Sequence, residues 1–305
     1  MKNSLFYKIS HKFHQLGFFI YSFKFYYQDN SKKQGKIKCF FKAIKHGSKI
    51  FNYKNGHYEY LEIPITTKCS LRCKHCSNLI PCYNKQKDYD TETLKESIQE
   101  FLKCINNIVF IRILGGEPFL SKNLYEIIEE LIKSDKIQRI EIVTNGTIIP
   151  KEKKLLEILN NNKIIVSISK YPNVDYNKVV EILKDNNIKY KIDAMTFWMD
   201  YGKPEKRNKS EKELITQFSK CNNVCKSLVN GQIHLCPRSS HGTDLGIIKN
   251  NEDDYLNLLD DKLSLKEKEE KLNKVFSKKY ITACDYCVFG TNESKKIPVA
   301  EQLKK

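Results

Sequence analysis

From residue 59 onward, apolar positions recur first in short runs or at every second residue and then at every third or fourth, and the two periods take turns along the chain. The first pattern predicts strands at Glu59–Thr66, Ile108–Leu114, Arg139–Thr144, Ile164–Ser169 and Ile188–Ala194. The second predicts helices between them, at Thr91–Asn106, Asn123–Lys133, Lys151–Leu159 and Asp175–Lys184. Such alternation joins parallel strands through helical crossovers, so the expected fold class is α/β, a barrel or partial barrel.

After Trp198 the rhythm breaks at a polar, lysine-rich stretch, Tyr201 to Lys212, whose Gly202 and Pro204 mark a boundary. Beyond it, Ser227–Val229 and Gln232–Leu235 flank Asn230-Gly231, the dipeptide of a two-residue hairpin turn, and the hairpin runs into Cys236. Lys262 to Lys274 is rich in Lys and Glu and reads as a solvated helix face. Upstream, Phe6, Ile9, Phe13, Leu16 and Ile20 recur at helical spacing, read as a helix packed on the main domain in preference to one lying on a membrane surface. Three regions are expected: 1–58, 59–200 and 201–305.

Composition adds limits. With 40% hydrophobic and 11% aromatic residues, a chain of 305 residues can bury a substantial core, and wholesale disorder is excluded. The formal net charge is +17, and residues 1–58 hold twelve lysines against one acid, Asp29. That basic, aromatic segment would attract an anionic membrane surface, nucleic acid or an acidic partner without choosing among them. The apolar run Gly17 to Phe23 is cut by Lys24 and fits neither a signal peptide nor a spanning helix, so a cytoplasmic location is expected. Eleven cysteines in a reducing compartment point to metal ligation or redox chemistry rather than disulfides.

Three of them, Cys69, Cys73 and Cys76, fall in one loop directly after the first strand, at the carboxyl edge that forms the catalytic face of a barrel. Their spacing lets a short loop wrap three corners of a cubane cluster, and the lack of a nearby fourth ligand leaves one iron open to an exogenous molecule. Zinc is the alternative, with His75 as a fourth ligand, but adjacent His75 and Cys76 make an awkward tetrahedral chelate.

This motif resembles that of the radical S-adenosylmethionine (SAM) superfamily, in which an aromatic residue or histidine often precedes the third cysteine. The resemblance implies a partial (β/α)6 TIM-like barrel, a [4Fe-4S] cluster on Cys69, Cys73 and Cys76, and SAM on its open iron. It further implies reductive cleavage of SAM to a 5′-deoxyadenosyl radical that abstracts hydrogen from an organic substrate, with electrons from a donor such as flavodoxin or ferredoxin. Gly115, Gly116, Glu117 and Pro118 match the family's GGEP element, which implies contact with the SAM amino group; the alternative is a strand-to-helix turn with a capping acid. Thr144 and Asn145 match a TNG element near the cofactor. Ser167 and Ser169 share one side of the fourth strand and are candidates for the SAM ribose or carboxylate, or are simply satisfied core serines.

Downstream, Cys221, Cys225, Cys236, Cys284 and Cys287 lie in a region too short for a large core, a deficit that metal ligation would offset. Their order resembles the SPASM region in its shortened form, twitch, which implies one auxiliary [4Fe-4S] cluster on four cysteines. Cys225, Cys236, Cys284 and Cys287 are the preferred ligands, with Cys221 as rival to Cys225, and a four-cysteine zinc site is the alternative. Cys39, Cys82 and Cys104 stay unassigned. The expected function is a radical SAM oxidoreductase-like enzyme acting on a sugar or small metabolite, without a nucleic-acid partner and with membrane contact of residues 1–58 left open. The alternatives are a radical SAM peptide maturase and a zinc-bearing nucleic-acid-binding protein.

Overall fold

β-branched residues crowd the predicted strands, and those strands form. In order along the chain come β1 (His57–Pro64), α1 (Thr91–Lys103), β2 (Asn107–Leu114), α2 (Leu124–Ile132), β3 (Ile137–Thr144), α3 (Lys153–Leu159), β4 (Ile164–Ser169), α4 (Asn177–Asp185) and β5 (Tyr190–Asp193). There follow β6 (Trp198–Met199), α5 (Glu211–Lys220), β7 (Ser227–Val229), β8 (Gln232–His234), α6 (Pro237–Asp244), β9 (Tyr255–Asn257), α7 (Leu265–Phe276) and β10 (Lys296–Ile297). This computed structural model describes residues 56–221 and 225–304, together with Ile37, Phe40, Phe41 and Ile44. The helix expected over Phe6 to Ile20 lies outside the described residues, as does most of the basic segment.

Strands β1 to β5 are parallel, in the sheet order β5-β4-β3-β2-β1-β7-β8-β9, so the α/β class with a parallel sheet is as expected. On one face stand Leu61, Ile63, Ile111, Ile113, Ile140, Ile142, Val166 and Ile168, which pack against apolar residues of α1 to α4 such as Phe101, Ile127, Leu159 and Leu183. Burying each of these aliphatic side chains contributes about 1.5–3 kcal/mol, and this layer is the core of the molecule. Asp90 caps α1 by accepting from Thr93 N at 2.8 Å, and capping boxes open α5 at Ser210 and α7 at Ser264.

The other face is polar. Tyr60, Glu62, Arg112, Glu141, Ser167, Lys191 and Asp193 project from it, where a purely structural parallel sheet would be apolar on both sides.

The sheet does not stop at the expected boundary near residue 200. β7 pairs parallel to β1, with Glu62 N donating to Lys226 O at 2.8 Å, and β7 and β8 form the expected hairpin around Asn230 and Gly231, whose φ angles are 48° and 77°. α7 has a buried side that the Lys/Glu pattern hid: Lys268, Leu272 and Val275 are covered, Lys268 Nζ reaches Glu100 at 2.6 Å, and Phe276 meets Tyr58 edge-on at 5.5 Å. Among the described residues no helix is long and apolar enough to cross a membrane.

Candidate active site

β1 ends at Pro64, and Ile65 to Cys76 continue from it over the carboxyl edge of the sheet. β2 ends at Leu114 and is followed directly by Gly115 and Gly116, whose missing side chains allow contact with this loop. A Cβ on Gly115 would lie 2.3 Å from Thr66 O, and one on Gly116 would lie 2.2 Å from Lys68 O and 2.6 Å from Cys69 Cβ. Gly116 N donates to Thr66 O at 2.9 Å, and Glu117 N donates to Lys68 O at 2.7 Å.

Glu117 is fully buried and ties this unit to the end of β3. Its carboxylate accepts from Thr144 Oγ1 at 2.8 Å, Asn145 N at 2.8 Å and Phe119 N at 3.2 Å, while burial pushes its pKa up to about 7 against those bonds. Asn145 reaches on: its Nδ2 donates to Ser70 Oγ at 3.1 Å and lies 3.7 Å from Cys69 Sγ. Ser70 and Thr147 hydroxyls share a further hydrogen bond. Cysteine loop, GGEP and TNG are therefore one hydrogen-bonded body. Pro118 is buried and starts the short turn that follows.

Burial raises the pKa of Cys69 to about 12 and of Cys76 to about 11, with the neighbouring thiols adding to the effect, and burial also raises that of Cys73. A thiol kept protonated by burial ionises when a cation takes the proton's place, so the chemistry of this donor set fits an iron–sulfur group. Tyr171, packed edge-on against Trp198 at 5.7 Å, stands near all three. His75 lies between Asp200, at 3.4 Å from Nδ1, and Glu301, at 3.6 Å from Nε2.

The serines divide. Ser167 is buried and donates to Asp193 Oδ2 at 2.6 Å, whereas Ser169 is half-buried and bonds Tyr171 beside the cysteine loop. Below them on the polar face, Glu141 accepts from Arg112 Nε at 2.8 Å and meets Lys191 Nζ at 2.6 Å. Lys191 also reaches Asp193 at 3.1 Å, and Tyr60 OH donates to Glu62.

Elsewhere a partly open cavity is lined by Cys221, Cys236, Cys284 and Cys287, with Ser77, Tyr201, Gln217 and Arg238 among its other walls. Cys225 is not in that lining. It packs with Tyr60, Val109 and Phe110 and bonds Glu62 at the polar face of the sheet, although Tyr201 lies near both Cys225 and Cys221. Of the two rival cysteines, Cys221 therefore lines the cavity and Cys225, four positions on, does not, because the start of β7 at Ser227 holds Cys225 alongside β1. Ser77, next to Cys76, puts the two cysteine sites against each other.

Sequence patterns did not reveal the carboxyl-terminal strap. Gln302 bridges to Cys73, its Nε2 donating to Cys73 Sγ at 3.2 Å and its Oε1 accepting from Arg72 N at 2.7 Å. Tyr171 was missed too; its position two residues after Ser169, past the end of β4, was the available signal.

Comparison with known proteins bears on this geometry. The family description "Radical SAM superfamily" matches residues 63–205. GTP 3′,8-cyclase of Clostridium acetobutylicum is 30% identical over 156 residues, covering 50% of this chain and 44% of that protein. The GTP 3′,8-cyclase of Thermodesulfovibrio yellowstonii is 33% identical over 135 residues, covering 41% and 38%. The chain thus spans less than half the length of these curated relatives. Among solved structures, native anSMEcpe with bound AdoMet and Kp18Cys peptide aligns with a TM-score of 0.48 at 15% identity over 81% of this chain and 92% of that one. BtrN in complex with AdoMet and 2-DOIA aligns with a TM-score of 0.44 at 16% identity over 81% and 97%.

Proposed function

We propose that the chain is an enzyme of the radical SAM superfamily, that Cys69, Cys73 and Cys76 hold its [4Fe-4S] cluster and that the GGEP and TNG segments hold SAM beside it. When bound, the cluster and SAM together supply the one-electron cleavage that yields methionine and a 5′-deoxyadenosyl radical, which takes a hydrogen atom from the substrate. The observation that carries this reading is the single body formed by the cysteine loop, Gly116, Glu117 and Asn145. Its rigidity fixes the ligands and the cofactor pocket relative to one another.

The chain's own residues act around that step. Glu117 positions Thr144 and Asn145 by accepting hydrogen bonds from them, and it leaves backbone groups of the GGEP turn to meet the SAM ammonium. Ser169 and Tyr171 screen the cysteine loop from solvent on the β4 side. Ser167 and Asp193 present paired hydroxyl and carboxylate groups suited to sugar hydroxyls.

For the substrate we favour a small, polar molecule such as a sugar or related metabolite. Arg112, Lys191 and Asp193 are each partly exposed on the polar face, whereas their partners Glu62 and Glu141 are buried behind them. Such a surface suits hydroxyl and charged groups better than an apolar side chain. A peptide substrate is the second reading, distinguished by whether peptides or small metabolites are consumed.

We read the cavity of Cys221, Cys236, Cys284 and Cys287 as the seat of an auxiliary [4Fe-4S] cluster, revising the ligand set to include Cys221. Four thiolates satisfy all four corners, which suits electron transfer rather than substrate ligation. The test is anaerobic preparation followed by iron and sulfide analysis and reduction in the presence of SAM. About eight irons per chain and release of 5′-deoxyadenosine are expected. Replacing Cys73 with Ala should abolish that release; full release from this variant would overturn the ligand assignment.

A further inference from the structure

Arg238 follows Cys236 by two residues and is buried, only 6% exposed, in the wall of the four-cysteine cavity. Its Nε donates to Tyr286 O at 2.9 Å and its Nη2 donates to Gly202 O, and no carboxylate among the described residues pairs with it. Lys209 approaches the same turn. Its Nζ donates to Gln217 Oε1 at 2.6 Å, Cys287 O at 2.6 Å and Cys284 O at 3.3 Å, again without a carboxylate partner among the described residues. Three acceptors use all three protons of an ammonium, so Lys209 is bound as the cation.

Arg238 thus sits in the cavity wall with no carboxylate in hydrogen-bond contact among the described residues, and Lys209 stands behind Cys284 and Cys287, where its own backbone N donates to Asp285 Oδ1 at 2.8 Å. A buried guanidinium lacking a counter-charge is expensive, and hydrogen bonds to carbonyls offset only part of the cost. The missing negative charge belongs inside the cavity. A metal centre on the four cysteines would supply it: four thiolates outweigh a doubly charged iron–sulfur core, leaving such a centre doubly negative when oxidised and triply negative after one-electron reduction.

We propose that Arg238 and Lys209 are the counter-charges of the auxiliary centre on Cys221, Cys236, Cys284 and Cys287, and that they raise its reduction potential so that it takes an electron from the substrate radical. This rests on the auxiliary-cluster reading above. Nearby positive charge favours the more negative state of the centre, which is the reduced one. The balance closes as follows: the substrate gives one hydrogen atom to the adenosyl carbon, then one electron to the centre and one proton to solvent. It is thereby oxidised by two electrons while the centre is reduced by one. The centre is reoxidised by a one-electron acceptor of the flavin or iron–sulfur class.

Redox titration of anaerobically prepared full-length protein, followed by electron paramagnetic resonance with iron and zinc analysis, tests the inference. Arg238→Gln and Lys209→Gln should each move the auxiliary midpoint potential to more negative values and leave that of the Cys69, Cys73 and Cys76 site nearly unchanged, while Arg238→Lys should keep most of the wild-type potential. Unchanged or more positive auxiliary potentials in both neutral variants would overturn the counter-charge role. Should the neutral variants lose the auxiliary irons, retention of those irons in Arg238→Lys supports the role, and equal loss in Arg238→Lys overturns it. Wild-type protein with about four irons, or with zinc in the second site, would instead sink the auxiliary-cluster reading itself.

Discussion

Gly116 and Lys68 touch through backbone alone: the carbonyl oxygen of Lys68 occupies the space, 2.2 Å away, where any side chain at residue 116 would begin. The same virtual Cβ would stand 2.6 Å from Cys69 Cβ, so the first cysteine of the motif is placed by the absence of a methyl group on the neighbouring strand end.

Gly116→Ala is accordingly expected to displace the cysteine loop. Overpacking of this kind costs about 1–3 kcal/mol, and here it falls on backbone that cannot rotate away. Urea unfolding should show a lower midpoint, and the prepared protein should hold fewer irons than wild type. A variant with unchanged midpoint and iron content would show that the two loops are not in register contact.

The two neighbouring cysteines offer a direct comparison. Cys221→Ser should lower the iron content by about four per chain, because it removes one wall of the four-cysteine cavity. Cys225→Ser should leave the iron content intact, since Cys225 packs with Tyr60 and Phe110 at the sheet. The reverse pattern would restore Cys225 as the ligand.

How much of this was legible beforehand depends on the range of the forces involved. The βα alternation was, because each strand buries an aliphatic face that leaves a periodic trace; β4 falls at Ile164–Ser169 as its pattern predicts. The hairpin was, because Asn230 and Gly231 supply positive φ locally. The distinction between Cys221 and Cys225 was not, since it depends on where β7 docks along β1, a long-range pairing of Glu62 with Ser227. Nor was the contact of Gln302 with Cys73, in which residues 229 positions apart meet through a single bridge too short to show periodicity. Glu117 was located by motif, yet its complete burial and its bonds to Thr144 and Asn145 belong to the packing of β2 on β3.

Stability should depend on pH through His241. This residue is fully buried on α6, its Nδ1 lies 2.9 Å from Tyr83 OH, and burial lowers its pKa to about 4 in spite of the attraction of Asp244. Because the folded state binds the proton less well than the unfolded state, the contribution of the neutral ring is complete above the unfolded value of 6.5 and is lost as pH falls toward 4. The loss should be on the order of 3 kcal/mol across that window. Urea unfolding at pH 7 and pH 4.5 checks it; His234, whose pKa burial lowers to about 3, acts in the same direction, so His241→Gln should reduce the difference and adding His234→Gln should reduce it further. An equally steep dependence in His241→Gln would place the titration elsewhere.

On the polar face Glu141 is the shared anion of two cations, Arg112 at 2.8 Å and Lys191 at 2.6 Å, and it is nearly inaccessible while they remain about one-third exposed. Glu141→Gln would leave both cations with weaker partners. Breaking a buried pair costs about 3–5 kcal/mol, but solvent reaching Arg112 and Lys191 screens part of that, so a loss of about 2 kcal/mol is expected. Adding Lys191→Met to Glu141→Gln removes one of the orphaned cations, and the double variant should regain part of the loss, giving a favourable coupling in a double-mutant cycle. Strict additivity would mean that Lys191 is held by Asp193 alone, whose carboxylate stands 3.1 Å away. The face would then be two separate ion pairs rather than one network, and a substrate could displace either without disturbing the other.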